Sequence, residues 1–222
     1  MYCLGNPINL IDPDGRDVLP SKSFLNSSYG TVYKNLRQNS KTFNGLISKY
    51  ENNSQFNLRL RINDKAVPSG AGANTVYNSH DGNVPKSLDV NTNFRSHISV
   101  AKDYEYSEFG VLLVVSHEAI HQKLALSSKN DDQNHNLFNT KLDLLINVIS
   151  EYNKSNGSRL SDTNIKEIAF SGQQESEGFK SYIGSLAKEN NTTYKQEKAS
   201  YDIRVSDLIY QKKESKWESK LV

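Results

Sequence analysis

Two imidazoles and a carboxylate fall within five residues at His117-Glu118-Ala119-Ile120-His121. On an α-helix, positions i and i+4 share a face, so both rings can reach one metal ion while Glu118 projects toward a water held beside it. That set of groups suits zinc-assisted hydrolysis, with His117 and His121 as ligands and Glu118 as the general base. A catalytic zinc takes three protein ligands and leaves a further position open. The preferred third ligand is His135, 14 positions after His121, with Asp132 or Asp131 as alternatives and a later Glu175 or Glu177 as the distant option.

A helix must present this motif, and the residues around it have the pattern of one. Ser107 to Val115 reads S-E-F-G-V-L-L-V-V, an apolar run without proline, and Ser107 or Asp103 is placed to cap its start. Phe109, Leu112, Leu113, Ser116 and Ile120 recur at three- and four-residue steps, and a Ser-Ser-Lys-Asn break follows Leu126. Beyond it, Phe138, Leu142, Leu145, Ile149 and Tyr152 form a second helical stripe, and three residues back along that face lies His135. An oxyanion formed during hydrolysis needs a donor besides the metal; His97, Tyr104 and Tyr182 are the candidates, with Tyr77 and Tyr106 behind them.

Ahead of the motif the pattern changes from helical to extended. Residues 24–50 space Phe24, Tyr29, Val32, Tyr33, Leu36, Phe43, Leu46, Ile47 and Tyr50 as one or two amphipathic helices. Phe56 to Ile62 alternates apolar and polar residues, which predicts a half-buried strand. Residues 67–87 read as a loop or hairpin with Asp81-Gly82 at its turn, and 87–90 and 97–100 as further short strands. The glycines at 68–82 lack both the G-K-[ST] ending and the G-x-G-x-x-G spacing of phosphate-binding loops. His80 is expected to be an exposed loop residue. The expected fold class is α+β: a small twisted sheet, then the H-E-x-x-H helix, then a mostly helical C-terminal half.

Charge and composition narrow the partners. The chain of 222 residues has a formal charge of only +2, with Lys and Arg dispersed until the C-terminal tail, so no electrostatic footprint for nucleic acid is present. No apolar run approaches the roughly 20 residues of a membrane helix. Cys3 stands alone, which excludes an intrachain disulfide and a cysteine-based zinc site. Met1 is not followed by a basic segment and an apolar core, so no secretory signal is expected in these residues.

The opening segment, Y-C-L-G-N-P-I-N-L-I-D-P-D-G, is a pair of proline turns too small to fold alone. It resembles the closing motif of the Rhs/YD-repeat-associated core, whose Asn-Pro and Asp-Pro-x-Gly elements it carries at the family's spacing; Gly5 stands where the family often has asparagine. The resemblance covers about the first 17 residues. In that family the motif ends a repeat shell and precedes a variable C-terminal toxin, which implies a bacterial origin, delivery as part of a larger secreted toxin, and a cognate immunity protein. The H-E-x-x-H half resembles zincin metallopeptidases, in which an edge strand ahead of the motif helix pairs with a peptide substrate. More loosely, residues 114–182 resemble bacterial H-E-x-x-H proteins of phage or toxin type, in which the later segment is structural or closes the cleft.

The expected organisation is therefore residues 1–17 as the end of the core motif, 18–210 as a zincin-like domain, and 211–222 as a flexible tail. The expected activity is a zinc metallopeptidase acting on a protein or peptide. A zinc amidase acting on cell-wall peptide and a non-catalytic, metal-stabilised module are the alternatives.

Overall fold

A computed structural model describes residues 18–51, 57–62, 73–81, 84–92, 104–125 and 138–212. The chain begins with strand β1 (Val18–Pro20), followed by helices α1 (Lys22–Leu25), α2 (Ser28–Asn39) and α3 (Lys41–Ile47), the last continued by a 3-10 turn at Ser48–Tyr50. Serines start all three helices: Ser21, Ser27 and Ser40 each accept a hydrogen bond from a backbone N–H in the first turn. Across α2 and α3 the apolar positions expected from the sequence are buried, from Tyr29 and Leu36 to Phe43 and Leu46.

Strands β2 (Asn57–Ile62), β3 (Ala73–Asp81) and β4 (Val84–Thr92) follow. They join β1 in a four-stranded sheet of order β1-β2-β4-β3, in which β1, β2 and β4 run parallel and β3 runs antiparallel to β4. The expected β2 alternation is present, with Leu58 and Leu60 buried. Of the loop or hairpin expected at 67–87, the structure shows antiparallel pairing of β3 and β4 from Asp81↔Val84 upward. Among the described strands, β3 is therefore an edge of the sheet.

After β5 (Tyr104–Tyr106) comes α4 (Glu108–Ala125), the helix of the H-E-x-x-H motif. Its apolar run is buried around almost the whole circumference, because it packs on α2 and α3, on the sheet strands β3 and β4, and on helices of the second half. Those are α5 (Leu142–Ser155), α6 (Asp162–Phe170), α7 (Glu177–Glu189) and α8 (Tyr194–Ile209), the last running directly into β6 (Tyr210–Lys212). The molecule is thus broadly α+β, with a mixed sheet on one side of a buried central helix and a helical layer on the other. Among the described residues no helix is long and apolar enough to cross a membrane.

Three expectations need correction, the first at His80, which lies in strand β3 opposite Pro85 instead of in a loop. The ordered fold does not stop at residue 210: Gln211 and Lys212 continue β6, which pairs antiparallel with β5 through Tyr106↔Tyr210, Glu105↔Gln211 and Tyr104↔Lys212. The backbone groups of β5 need partners, and this segment supplies them. Nor is Phe138 on the same continuous helix as Leu142. Thr140–Lys141 form a turn, Lys141 N–H donates to the Phe138 carbonyl at 2.8 Å, and α5 starts only at Leu142. Phe138 is buried against α4 on its own side of that turn, and His135 lies outside the described residues.

Candidate metal centre

The start of α4 is held from the C-terminal end of the chain. Ser107 accepts from Gly110 N–H at 3.2 Å, as the expected cap, and its own hydroxyl donates to the Leu208 carbonyl at 2.6 Å. Ser107 N–H donates to the Ile209 carbonyl, which passes so near Gly110 that a Cβ there would sit 2.2 Å from its oxygen. Tyr106 and Tyr210 stack beside this junction, with ring centroids 5.3 Å apart. Glu108 accepts from the Tyr152 hydroxyl and from Asn156 Nδ2, tying the same turn to α5. Fixed in this way, the helix carries residues 117–121 in its second half.

There the two rings turn toward each other. His117 Nε2 and His121 Nε2 are 2.9 Å apart, and the ring centroids are separated by 4.6 Å with planes at 59°. Glu118 and His121 are each 7% exposed, whereas His117 is only half-buried, so the pair opens to solvent on the His117 side. Two nitrogens bound to one tetrahedral zinc lie about 3.3 Å apart, given bonds of about 2.0–2.1 Å. The rings need part by only a few tenths of an ångström to share an ion. In the absence of metal the same spacing suits a direct hydrogen bond between neutral rings, one nitrogen donating and the other accepting. Two protonated rings at this distance would repel.

Phe138, which the sequence places on a helical stripe, and the turn at Gly172 lie beside these imidazoles. Phe138 is fully buried; its ring stacks on His117 at 4.3 Å and 24° and meets His121 at 4.9 Å. Gly172 follows the end of α6 in the left-handed region, with φ of 84°. A Cβ on it would lie 3.7 Å from Cε1 and 3.9 Å from Nδ1 of His117. The sequence signal for this turn is Phe170-Ser171-Gly172, a helix end followed by the residue type that accepts positive φ. Nothing in the sequence pointed it at His117. Next to it, Gln173 is fully buried; its Nε2 donates to the Ala169 carbonyl at 3.0 Å, and its Oε1 has no donor among the described residues.

No protein-family model matches this chain, and no curated protein or solved structure does either. The site has only its own geometry to argue from.

The remaining candidates are distributed as follows. His135, Asp131, Asp132 and His97 lie outside the described residues, as does the opening motif at 1–17. Among the described residues, no group of three or more His, Cys, Asp or Glu side chains that could hold a metal ion comes together. Tyr104 is in β5 and Tyr77 in β3. Burial, helped by Tyr210, pushes the Tyr106 hydroxyl up from its ordinary value, so Tyr106 stays a neutral phenol. Tyr182, on α7, stacks on Phe170 at 4.9 Å with Lys166 Nζ 4.8 Å from its ring centroid. Burial, then the nearby Glu167, push it up to about 12. Its electrostatic neighbours are those of the α6–α8 contact. Glu175 is exposed in the turn after Gly172, and Glu177 is a solvated first residue of α7, paired with Lys180 at 3.0 Å.

Proposed function

We propose that this chain is a zinc-dependent peptidase, and that it serves as the toxic C-terminal domain of an Rhs-type polymorphic toxin. The carrying observation is the convergence of two imidazole Nε2 atoms, 2.9 Å apart, beside a buried carboxylate on a helix locked into the core. The toxin role rests on the resemblance of residues 1–17 alone.

His117 and His121 would hold zinc through Nε2. Phe138, whose ring lies on both imidazoles, is three positions after His135, and three residues of chain reach about 10 Å at most. The third ligand is accordingly proposed as His135, with Asp132 or Asp131 as the alternatives. When bound, the ion supplies Lewis-acid polarisation of the amide carbonyl and of water. Glu118 accepts a proton from the attacking water as its oxygen bonds to the carbonyl carbon. It then returns that proton to the amine nitrogen as the C–N bond breaks. Burial of Glu118 and His121 keeps bulk water from competing for these positions. Strand β3 packs on α4 and forms a sheet edge, which favours a substrate bound as an extended peptide adding to that edge.

The 2.9 Å separation also favours a second reading, a non-catalytic module in which the two rings simply hydrogen-bond. Metal analysis of the purified chain with its Glu118→Gln variant separates the two. The peptidase requires one zinc per chain in both proteins. It also requires toxicity on expression that falls by about 10²–10⁴ in hydrolytic rate when Glu118 is replaced. No zinc in either protein would leave the hydrogen-bonded module, zinc retained with Glu118→Gln as toxic as wild type would leave a metal-stabilised module, and lysis from outside the cell without toxicity inside it would point to the cell-wall amidase.

A further inference from the structure

The two neighbours of the His117 ring come from different parts of the chain, and neither lies on α4. Phe138 lies beyond the end of that helix, and Gly172 lies beyond the end of α6. Phe138 buries a flat ring against a histidine that is itself half-open to solvent, where an aliphatic side chain would bury as much apolar surface without selecting a ring orientation. Gly172 adopts a backbone conformation that other residues pay to adopt, and the turn faces the Cε1–Nδ1 side of the same ring, so that a Cβ added there would come into van der Waals contact with it. An imidazole on a helix has several χ1 and χ2 choices, and most of them point Nε2 away from a ring one turn on. Ordering such a side chain costs up to about 1–2 kcal/mol.

We infer that Phe138 and the Gly172 turn are positioning elements for the histidine pair, clamping His117 in the orientation that faces its Nε2 toward His121. The inference rests on the metal reading above. Phe138 sets the tilt of both rings, and the turn stops His117 from swinging toward α6. Neither touches substrate. Their role is to make the pair a ready ligand set before an ion arrives, as groups around a metal site do when they fix its ligands.

The test measures zinc affinity by competition with a chromophoric chelator, and the visible absorption of the cobalt-substituted protein. Four chains are compared: wild type, Phe138→Leu, Gly172→Ala, and Phe43→Leu as a control. Phe43 is equally buried but lies on α3, in the aromatic contact with Tyr33. Phe138→Leu is expected to bind zinc about 10–100-fold more weakly, with a changed cobalt spectrum at saturation. Gly172→Ala should shift affinity the same way by a smaller factor. Phe43→Leu should lower the metal-free melting temperature and leave affinity and spectrum unchanged. Unfolding curves in chelator give the folded fraction of each, and if Phe138→Leu does not fold, Gly172→Ala decides. Affinity unchanged in the folded variants, or weakened as much by Phe43→Leu, overturns the clamp while leaving the metal site standing. Wild type that binds neither zinc nor cobalt overturns both.

Discussion

Two buried polar clusters divide the labour in this protein, and they are built on opposite principles. Between α6 and α8, Glu167 and Glu197 are 1% and 3% exposed and share one guanidinium. Arg204 donates to Glu167 Oε1 at 2.9 and 2.7 Å and to Glu197 Oε1 at 3.1 Å, while Asn190 donates to the other Glu197 oxygen at 2.9 Å. Hydrogen bonds from Asn190, then from Arg204, hold Glu197 below the usual carboxylate value against the opposing effect of burial. On α4 two imidazoles turn their Nε2 atoms toward each other beside the buried Glu118 carboxylate, with the Phe138 ring lying against both. The first cluster joins opposite charges across two helices and locks them. The second brings like groups together at a spacing that an ion would improve. Buried polarity that is paired within the fold reads as structure; buried polarity that converges on a point reads as a site.

Substitutions can break this contrast from either side. His121→Ala should cost the most where metal is concerned: zinc affinity should fall by more than about 100-fold, beyond the loss typical of a group that merely supports a ligand. Unfolding in chelator should shift by only about 1–2 kcal/mol. A variant that kept its zinc would remove α4 from the argument. Arg204→Met should do the reverse, leaving two carboxylates buried without a cation. Because the guanidinium is 40% exposed, the low end of the cost of breaking a buried pair applies, about 3 kcal/mol in urea unfolding, with zinc affinity unchanged. Loss of zinc binding in folded Arg204→Met would show that the clusters are coupled.

The smallest effect belongs to Glu151, which joins α5 to the start of α3. Its carboxylate accepts from Thr42 N–H at 3.0 Å, Thr42 Oγ1 at 2.9 Å and the Ser40 hydroxyl. Partial burial pushes this carboxyl up, but the bonds from Ser40 and Thr42 together outweigh it and hold it below the ordinary value. A depressed folded-state pKa gives stability that is present above the unfolded value of about 4.3 and lost as pH falls through the folded one. Glu151→Gln should therefore cost about 1 kcal/mol near neutral pH and flatten the acid limb of the stability curve. An acid limb identical to wild type would remove Glu151 from the account.

Much of the fold could be read from the chain because its local rules agree. The alternation within 57–62, the hairpin pairing that starts at Asp81 and the apolar run before His117 each produced the element they predict. A solvated helix start at Glu175–Glu177 is where α7 begins, while the starts of α6 and α8 were equally readable but missed. Ser161 pairs with Asn164 and Thr193 with Gln196 as capping boxes, and Ser176 caps alone. The error at Phe138 had a different origin. Its spacing to Leu142 is helical, so a stripe running from Phe138 to Tyr152 satisfies periodicity, and periodicity has no term for a turn that lets one aromatic leave the stripe and dock elsewhere.

What the residues themselves determined is local and additive: which segments coil, which extend, where serine and glycine end them, and that His117 and His121 share one helical face. That follows from backbone sterics and a period of 3.6, which act over a few neighbours. Only the tertiary structure decided that Nε2 faces Nε2, that Phe138 bears on both rings and the Gly172 turn faces His117, and that the end of α8 and β6 seat the start of the same helix. Apart from the histidine pair itself, such contacts join residues tens to a hundred positions apart, and no short-range rule reaches that far; close packing of the core selects them.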